Sequence, residues 1–138
     1  MQRLEEIRKV MLGEKPAAPI MQLLGINITG VEKGNITLEM EVSERMHNPM
    51  GTLHGGVLCD LADIAMGYAF ISTLDVNELF TTVEMKTNFL KPVWEGKLRA
   101  ESKIIKKGRT MGLVECNIYD EQGSLVAYST STCTVIKG

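Results

Sequence analysis

The sequence predicts an α+β domain in which an antiparallel sheet wraps around one long buried helix. Several segments alternate apolar and polar residues with the period of two that is typical of half-buried strands. The segment from Val57 to Ile71 is instead apolar on nearly every side and is too long for a strand, which indicates a buried helix. Since a single curled sheet leaves part of such a helix uncovered, we also expect the chain to self-associate.

Length, charge and cysteine content exclude several classes of protein. The 138 residues fit one domain over 1–138, with residues 1–24 forming an N-terminal helical segment. A formal net charge of −2 provides no general attraction to nucleic acid or membranes, and no apolar run is long enough to span a bilayer. The three cysteines lack CxxC spacing and the charged N-terminus is unlike a signal peptide. We therefore expect a cytoplasmic protein with reduced cysteines and no metal site.

The remaining elements follow from the spacing of apolar residues. The stretch MQRLEEIRKVML predicts a short helix over residues 2–12, followed by a proline-containing loop with room for another helical turn. The predicted strands cover residues 35–42, 80–89, 97–104, 112–120 and 124–136, with a turn at 120–123. In the strand over 80–89, we expect Val83, Met85 and Phe89 to lie on one face and Thr82 on the other.

Two aspartates interrupt the apolar helix. Asp60, Asp63 and Gly67 share one helix face by their spacing. Asp60 lies near the helix start, where the macrodipole favours negative charge, and we interpret it as structural. Asp63 lies one turn further along, where this stabilisation fades. A desolvated carboxylate with raised proton affinity is a candidate general base, so we assign that role to Asp63.

The stretch NPMGTLHGG places Asn48, His54, Gly55 and Gly56 at the start of this helix. Glycines allow the backbone to approach a ligand closely. The free N–H groups of a first helical turn, aided by the dipole, bind anions or a developing oxyanion. A helix start that polarises a carbonyl, two turns from a desolvated carboxylate, predicts acyl transfer to water.

Other chemistries match the sequence poorly. His47 and His54 have no nearby third ligand, so the sequence predicts no metal site. There is no GxSxG motif, and the glycines match neither a Walker loop nor a dinucleotide-binding fingerprint. We therefore expect neither a serine nucleophile nor a bound cofactor.

The segment NPMGTLHGGVLCDLAD closely resembles the signature of hotdog-fold acyl-CoA thioesterases of the phenylacetic-acid-degradation (PaaI-like) type. The similarity extends to LLGINI, NFLKPVWEGKLRAES, KKGRT and GSLVAYSTSTCTV, and so covers nearly the whole chain. The resemblance implies a sheet wrapped around the long helix and homodimers with a continuous sheet that usually assemble into tetramers. It also implies no cofactor other than the coenzyme A that is part of the substrate.

The resemblance also implies a role for each matching residue. Asp63 would align or deprotonate the attacking water, while Asn48 and the Gly55 N–H would hold and polarise the thioester carbonyl. His54 would organise the turn. Thr82 matches the position of a serine or threonine that assists the aspartate in some relatives. In such relatives the aspartate faces the asparagine and glycine of the neighbouring subunit, so the site would exist only in the dimer.

Coenzyme A binding is expected at two loops that match the family's nucleotide and pantetheine path. Basic residues crowd the stretch from Lys86 to Arg109, and a basic glycine-containing turn such as KKGRT suits phosphates. Solvated strand edges explain many of these charges equally well. The residues assigned to coenzyme A are Asn88, Phe89, Lys91, Pro92, Lys106, Lys107, Gly108, Arg109 and Thr110.

The leading hypothesis is an acyl-CoA thioesterase acting on aromatic, phenylacetyl-like or medium- to long-chain acyl groups. One alternative is a non-catalytic acyl-CoA-binding or regulatory hotdog module, which could dispense with Asp63 and Asn48, although both are present. A second alternative is a hotdog hydratase or dehydratase, whose aspartate–histidine pair belongs to a different motif. Product release from a panel of acyl-CoAs would separate all three.

Overall fold

A computed structural model describes residues 2–137. The helices are α1 (Gln2–Met11), α2 (Pro19–Leu24) and α3 (Gly55–Ile71), with a short 3-10 turn at Glu44–Met46. The strands are β1 (Ile26–Glu32), β2 (Asn35–Val42), β3 (Glu78–Phe89), β4 (Gly96–Lys107), β5 (Met111–Tyr119) and β6 (Leu125–Lys137). They form one six-stranded antiparallel sheet in the order β1-β2-β4-β5-β6-β3. The predicted fold class, a sheet packed around one long helix, is confirmed.

Helix α3 packs against β2 to β6, and its inward side is the centre of the core. The buried α3 residues are Leu58, Leu61, Ala62, Ala65, Met66, Ala69 and Phe70. The helix is not buried on every side in the single chain, as expected for one curled sheet, because Gly56, Asp60 and Asp63 lie exposed on the opposite side. A single sheet covers one side of a helix, and the polar positions occur on the side that it leaves open.

Strand β1 was not predicted. Only Ile26 and Ile28 of this segment alternate as buried residues before the pairing with β2 shifts register between Ile28 and Gly30. Two apolar residues are too few to reveal a strand by periodicity. Pairing with β2, whose bounds match the prediction, is what holds this segment extended.

The predicted faces of β3 are wrong for Thr82 and Val83, because the strand contains a bulge. Thr82 pairs with Cys133 and Glu84 with Thr132, which leaves Val83 as an extra residue. A bulge of this kind reverses the alternation of side chains beyond it. Val83 is therefore 58% exposed, whereas Thr82, expected on the other side, is partly buried. Met85 and Phe89 share one face as predicted, because they pair with the buried Ser131 and Ala127. The bulge places the Thr82 hydroxyl towards α3.

The N-terminal segment packs on β1 and α3. Helix α1 buries Leu4 and Ile7, in agreement with its predicted amphipathic spacing. The Arg3 guanidinium donates hydrogen bonds to the backbone carbonyls of Asp75, Val76 and Glu78, and so ties α1 to the loop between α3 and β3. No helix within residues 2–137 is long and apolar enough to cross a membrane.

Candidate active site

The start of α3 presents unpaired backbone donors. His54 is the N-cap residue, with extended backbone, and its side chain makes no capping hydrogen bond. The loop before it is held by hydrogen bonds from Leu53 N to Val93 O (2.7 Å) and from His54 N to Met46 O (2.9 Å). Within residues 2–137, the N–H groups of Gly55 and Gly56 find no acceptor. These donors lie at the positive end of the helix dipole, where a carbonyl oxygen that gains negative charge is stabilised.

The Asn48 side chain is locked in place beside this helix start. Its Oδ1 accepts hydrogen bonds from Met50 N at 3.0 Å and Thr52 N at 3.1 Å, and its Nδ2 donates to Thr52 Oγ1 at 2.9 Å. One amide hydrogen remains free, since a side-chain amide carries two. The orienting role of Thr52 was not predicted, although asparagine commonly binds nearby backbone N–H groups in a turn.

A groove of about 400 Å³ opens between the Asn48 loop, the start of α3 and the end of β3. Its lining includes Asn48, Gly55, Phe89, Lys91 and Pro92, so the structure brings together five of the predicted site residues. The Phe89 ring lies directly over Gly55, and a side chain at position 55 would place its Cβ 3.1 Å from Phe89 Cζ. Glycine at position 55 therefore allows the ring to approach the backbone more closely than a larger residue would, unless the ring moved by a few tenths of an ångström.

Asp63 lies elsewhere on α3, beside β3. Burial and the neighbouring Asp60 charge raise the pKa of Asp63, while the Thr82 hydroxyl beside it acts in the opposite direction by stabilising the carboxylate. Thr82 Oγ1 also lies 3.9 Å from Cys133 Sγ. In the single chain, Asp63 is exposed as a residue while its carboxyl group is partly desolvated, so the expectation of a buried side chain is met only in part. Its predicted proximity to Thr82 is present.

Asp60 lies one helical turn before Asp63 and is also exposed. Burial raises the pKa of Asp60, and the nearby His54 partly opposes this effect. Within residues 2–137, neither aspartate forms an ion pair or a side-chain hydrogen bond of standard geometry. In this same part of the chain, no three His, Cys, Asp or Glu side chains are arranged to hold a metal ion.

The two halves of the predicted site are far apart in one chain. Asp63 follows Gly55 by about two helical turns, or ~12 Å along the axis. Gly55 lies under Phe89 at one end of β3, whereas Asp63 lies beside Thr82 near the other end. A water held by Asp63 could not attack a carbonyl bound at Gly55 of the same chain, because reacting atoms must approach to about 3–3.5 Å.

The residues assigned to coenzyme A fall into two groups. Asn88, Phe89, Lys91 and Pro92 lie at the Gly55 end, where Lys91 Nζ is 2.7 Å from Asp120 Oδ2. The turn containing Lys106 to Thr110 lies across the sheet from Thr82. Thr82 on β3 pairs with Cys133 on β6, Cys133 pairs with Gly112 on β5, and Gly112 pairs with Lys107 on β4.

The cations of this turn are available for a ligand. No ion pair within residues 2–137 involves Lys106, Lys107 or Arg109. Lys107 Nζ lies 5.6 Å from the centre of the Phe70 ring. A hydrogen bond from Gly108 N to Met111 O closes the turn, and Thr110 O accepts a bond from Val135 N.

A larger cavity of about 840 Å³ lies between the end of β2, the loop after β3 and the β5–β6 turn. Its lining includes the acidic residues Glu41, Glu95, Asp120 and Glu121. Lys91 also lines it but is paired with Asp120. This concentration of negative charge disfavours the phosphates of a nucleotide, so cavity size does not identify the site.

Comparison with known proteins identifies the family. The sequence profile of the thioesterase superfamily matches residues 50–127, which include the α3 start, both aspartates and β3 to β5. The chain belongs to the thioesterase superfamily. This thioesterase is 32% identical to a 1,4-dihydroxy-2-naphthoyl-CoA hydrolase of Listeria monocytogenes, over 86% of the chain and 96% of that relative. It is 34% identical to the proofreading thioesterase EntH of Klebsiella pneumoniae, over 72% of the chain and 73% of that relative.

Solved structures agree with the sequence comparison. The thioesterase superposes on the E. coli PaaI protein from the phenylacetic acid degradation operon with a TM-score of 0.87 and 25% identity, covering 99% of this chain and 96% of that one. The resemblance drawn from the sequence and the hotdog fold are confirmed, and the enzyme is a thioester hydrolase.

Proposed function

We propose that this thioesterase hydrolyses acyl-CoA thioesters to a free acid and coenzyme A. The observation that supports this most directly is the α3 start, where free N–H groups and an oriented Asn48 amide line one groove. These donors suit a thioester carbonyl that becomes an oxyanion during hydrolysis. Loss of one such donor costs about a hundredfold to a thousandfold in turnover in other acyl-transfer enzymes.

In the proposed mechanism, Asp63 of one subunit accepts a proton from water. The resulting hydroxide forms a bond to the thioester carbon, and the oxyanion is held by Gly55 N–H and Asn48 Nδ2. Collapse of this intermediate breaks the C–S bond and releases the coenzyme A thiolate, which takes up the proton from Asp63. Thr82 orients the Asp63 carboxylate and His54 organises the turn. A raised pKa makes Asp63 a stronger base towards the attacking water.

The proposed site is completed by a second copy of the chain. Strand β3 is an edge of the sheet, with Leu79 (55%) and Val83 (58%) exposed on it. An unpaired edge of this kind is a template for strand pairing. Antiparallel pairing of two β3 strands across a twofold axis would bring the Thr82 end of one strand beside the Phe89 end of the other. Asp63 would then face Asn48 and Gly55 of the partner subunit, and two such dimers would form the tetramer.

The same pairing would join the two groups of residues assigned to coenzyme A. The turn with Lys106, Lys107, Gly108, Arg109 and Thr110 would approach the partner's segment with Asn88, Phe89, Lys91 and Pro92. The unpaired cations of the turn supply charge for phosphates, and the apolar groove residues suit the pantetheine arm and acyl group. No cofactor is required by this mechanism. The free thiols of Cys59, Cys116 and Cys133 are in keeping with the proposed cytoplasmic location.

Two relatives support an aromatic acyl group, since one is named as a hydrolase of 1,4-dihydroxy-2-naphthoyl-CoA and another comes from the phenylacetic acid degradation operon. Medium- and long-chain aliphatic acyl groups are the second candidate class. Methionines such as Met66, in the core behind the site, adapt to acyl groups of several shapes.

A panel of phenylacetyl-, naphthoyl- and C8–C16 acyl-CoAs tests the proposal by thiol release in the presence of a chromogenic disulfide. We expect Asp63→Asn to lower kcat by roughly a hundredfold to ten-thousandfold. Binding of a non-hydrolysable thioether analogue, measured by calorimetry, should be retained. Wild-type protein that binds the analogue but hydrolyses no member of the panel would favour the non-catalytic binding module instead.

A further inference from the structure

Asp60 occupies a position that the mechanism does not use. It lies three residues before Asp63 on the open face of α3, so the Cβ atoms of the two residues are about 5–6 Å apart. Both side chains are exposed on this face, and no cation within residues 2–137 pairs with either of them. Two carboxylates one turn apart repel each other.

A structural role for Asp60 has no support in its contacts. The N-cap of α3 is His54, so Asp60 lies beyond the residue that could cap the helix. In residues 2–137, its side chain forms no ion pair and accepts no hydrogen bond. A carboxylate kept for folding is normally paired or hydrogen-bonded. The remaining interactions of Asp60 are electrostatic, with the Asp63 carboxyl group and with His54.

We propose that Asp60 is a positioning residue whose negative charge makes Asp63 a stronger base. This inference rests on the proposed function, because it assigns to Asp63 the role of accepting a proton from water. Repulsion from Asp60 disfavours the second negative charge, so Asp63 holds a proton more firmly once it has taken one. A base whose proton affinity lies closer to the working pH removes a proton from water more effectively.

The other groups that act on Asp63 do not provide this effect. Thr82 on β3 stabilises the charged carboxylate and so works against it. Cys133 on β6 responds to Asp63 through a raised pKa of its own and carries no charge at neutral pH. His54 at the N-cap partly opposes the rise in the Asp60 pKa and does not act on Asp63 directly. Asp60 is thus the charged side chain that acts on Asp63 within residues 2–137.

The test compares Asp60→Asn, which keeps the shape and removes the charge, with Asp60→Glu, which keeps the charge. Asp75→Asn is the matched control, because it removes the same charge from an exposed loop position after α3. Each variant is followed by NMR titration of the Asp63 carboxyl carbon and by kcat/KM against pH at low ionic strength. Since the two aspartates are coupled, the acidic limb of the kcat/KM profile belongs to the pair.

In Asp60→Asn, we expect Asp63 to titrate at lower pH and the acidic limb to move the same way. The ratio of variant to wild-type kcat/KM should be about threefold larger on the acidic limb than on the plateau. This is the factor for water-screened repulsion between unit charges ~6 Å apart. Asp60→Glu and Asp75→Asn should keep the wild-type limb. In wild type, 1 M salt should reproduce much of the shift by screening the repulsion, and it should have little effect on Asp60→Asn.

A uniform loss of kcat/KM at all pH values in Asp60→Asn, with unchanged Asp63 titration, would show a structural role and refute the proposal. The NMR titration does not depend on turnover. Wild-type protein inactive on every acyl-CoA would therefore overturn the proposed function, while the titration would still decide whether Asp60 acts on Asp63.

Discussion

Mixing two inactive variants will show whether the site is shared between subunits. Within one chain, Gly55 and Asp63 are separated by ~12 Å along α3, whereas the reacting atoms must approach to about 3–3.5 Å. This difference is too large to be closed by side-chain rotation, because an aspartate side chain reaches only a few ångströms from its backbone. Asn48→Ala removes the carbonyl-holding amide and Asp63→Ala removes the base, so each variant alone should be nearly inactive.

When the two variants are dissociated together and reassociated, about half of the dimers should be mixed. Each mixed dimer contains one site that has lost both groups and one site with Asn48 and Asp63 intact. Activity should therefore recover to about a quarter of the wild-type value per chain. Thiol release from the best acyl-CoA substrate measures the recovery, and a mass tag on one variant confirms subunit exchange by native mass spectrometry.

An intrasubunit site leads to a different result, since every site then retains one defect regardless of its partner. Confirmed exchange without recovered activity would refute the shared site and the antiparallel β3 pairing on which it depends. Wild-type protein carried through the same dissociation is the control for irreversible damage.

Three further predictions concern stability and assembly. Gly112→Ala should lower the free energy of unfolding by about 1–3 kcal/mol in urea denaturation, because its Cβ would lie 2.6 Å from Cε1 of the fully buried Phe70. Gly108→Ala is the control and should leave the free energy of unfolding unchanged, because its Cβ has only an ordinary contact at 3.6 Å. Asp63→Asn should raise the melting temperature at neutral pH and have no effect in acid. The reason is that a folded-state pKa above the unfolded-state pKa makes the stability of the wild type fall as pH rises between the two values. An unchanged melting temperature at all pH values would contradict the raised pKa of Asp63. Val83→Lys should yield inactive monomers in sedimentation experiments, because a charge on an exposed edge opposes strand pairing, and active dimers would show that β3 is not the interface.

The sequence was sufficient to determine the main elements of the fold. Strand β2 is predicted to its exact bounds because each apolar residue in it is buried against α3, so its period of two is complete. Helix α3 begins only two residues before the predicted start. The chemistry of the site was also readable, because its parts lie in one short stretch: the glycines at the helix start, Asn48 before them and Asp63 after them.

Tertiary structure decided which way side chains point and which groups meet. The bulge at Val83 arises from pairing with β6, and no local pattern marks it, so Thr82 and Val83 were assigned to the wrong faces of β3. The exposure of Asp60 and Asp63 depends on how far one sheet reaches around α3, which the apolar character of the helix does not reveal. The distance between Gly55 and Asp63 likewise follows from the rigid rise of a helix that continues unbroken to Ile71. Sequence spacing identifies groups that could act together, but pairing between distant strands and the geometry of packed elements determine whether one chain can bring them into contact.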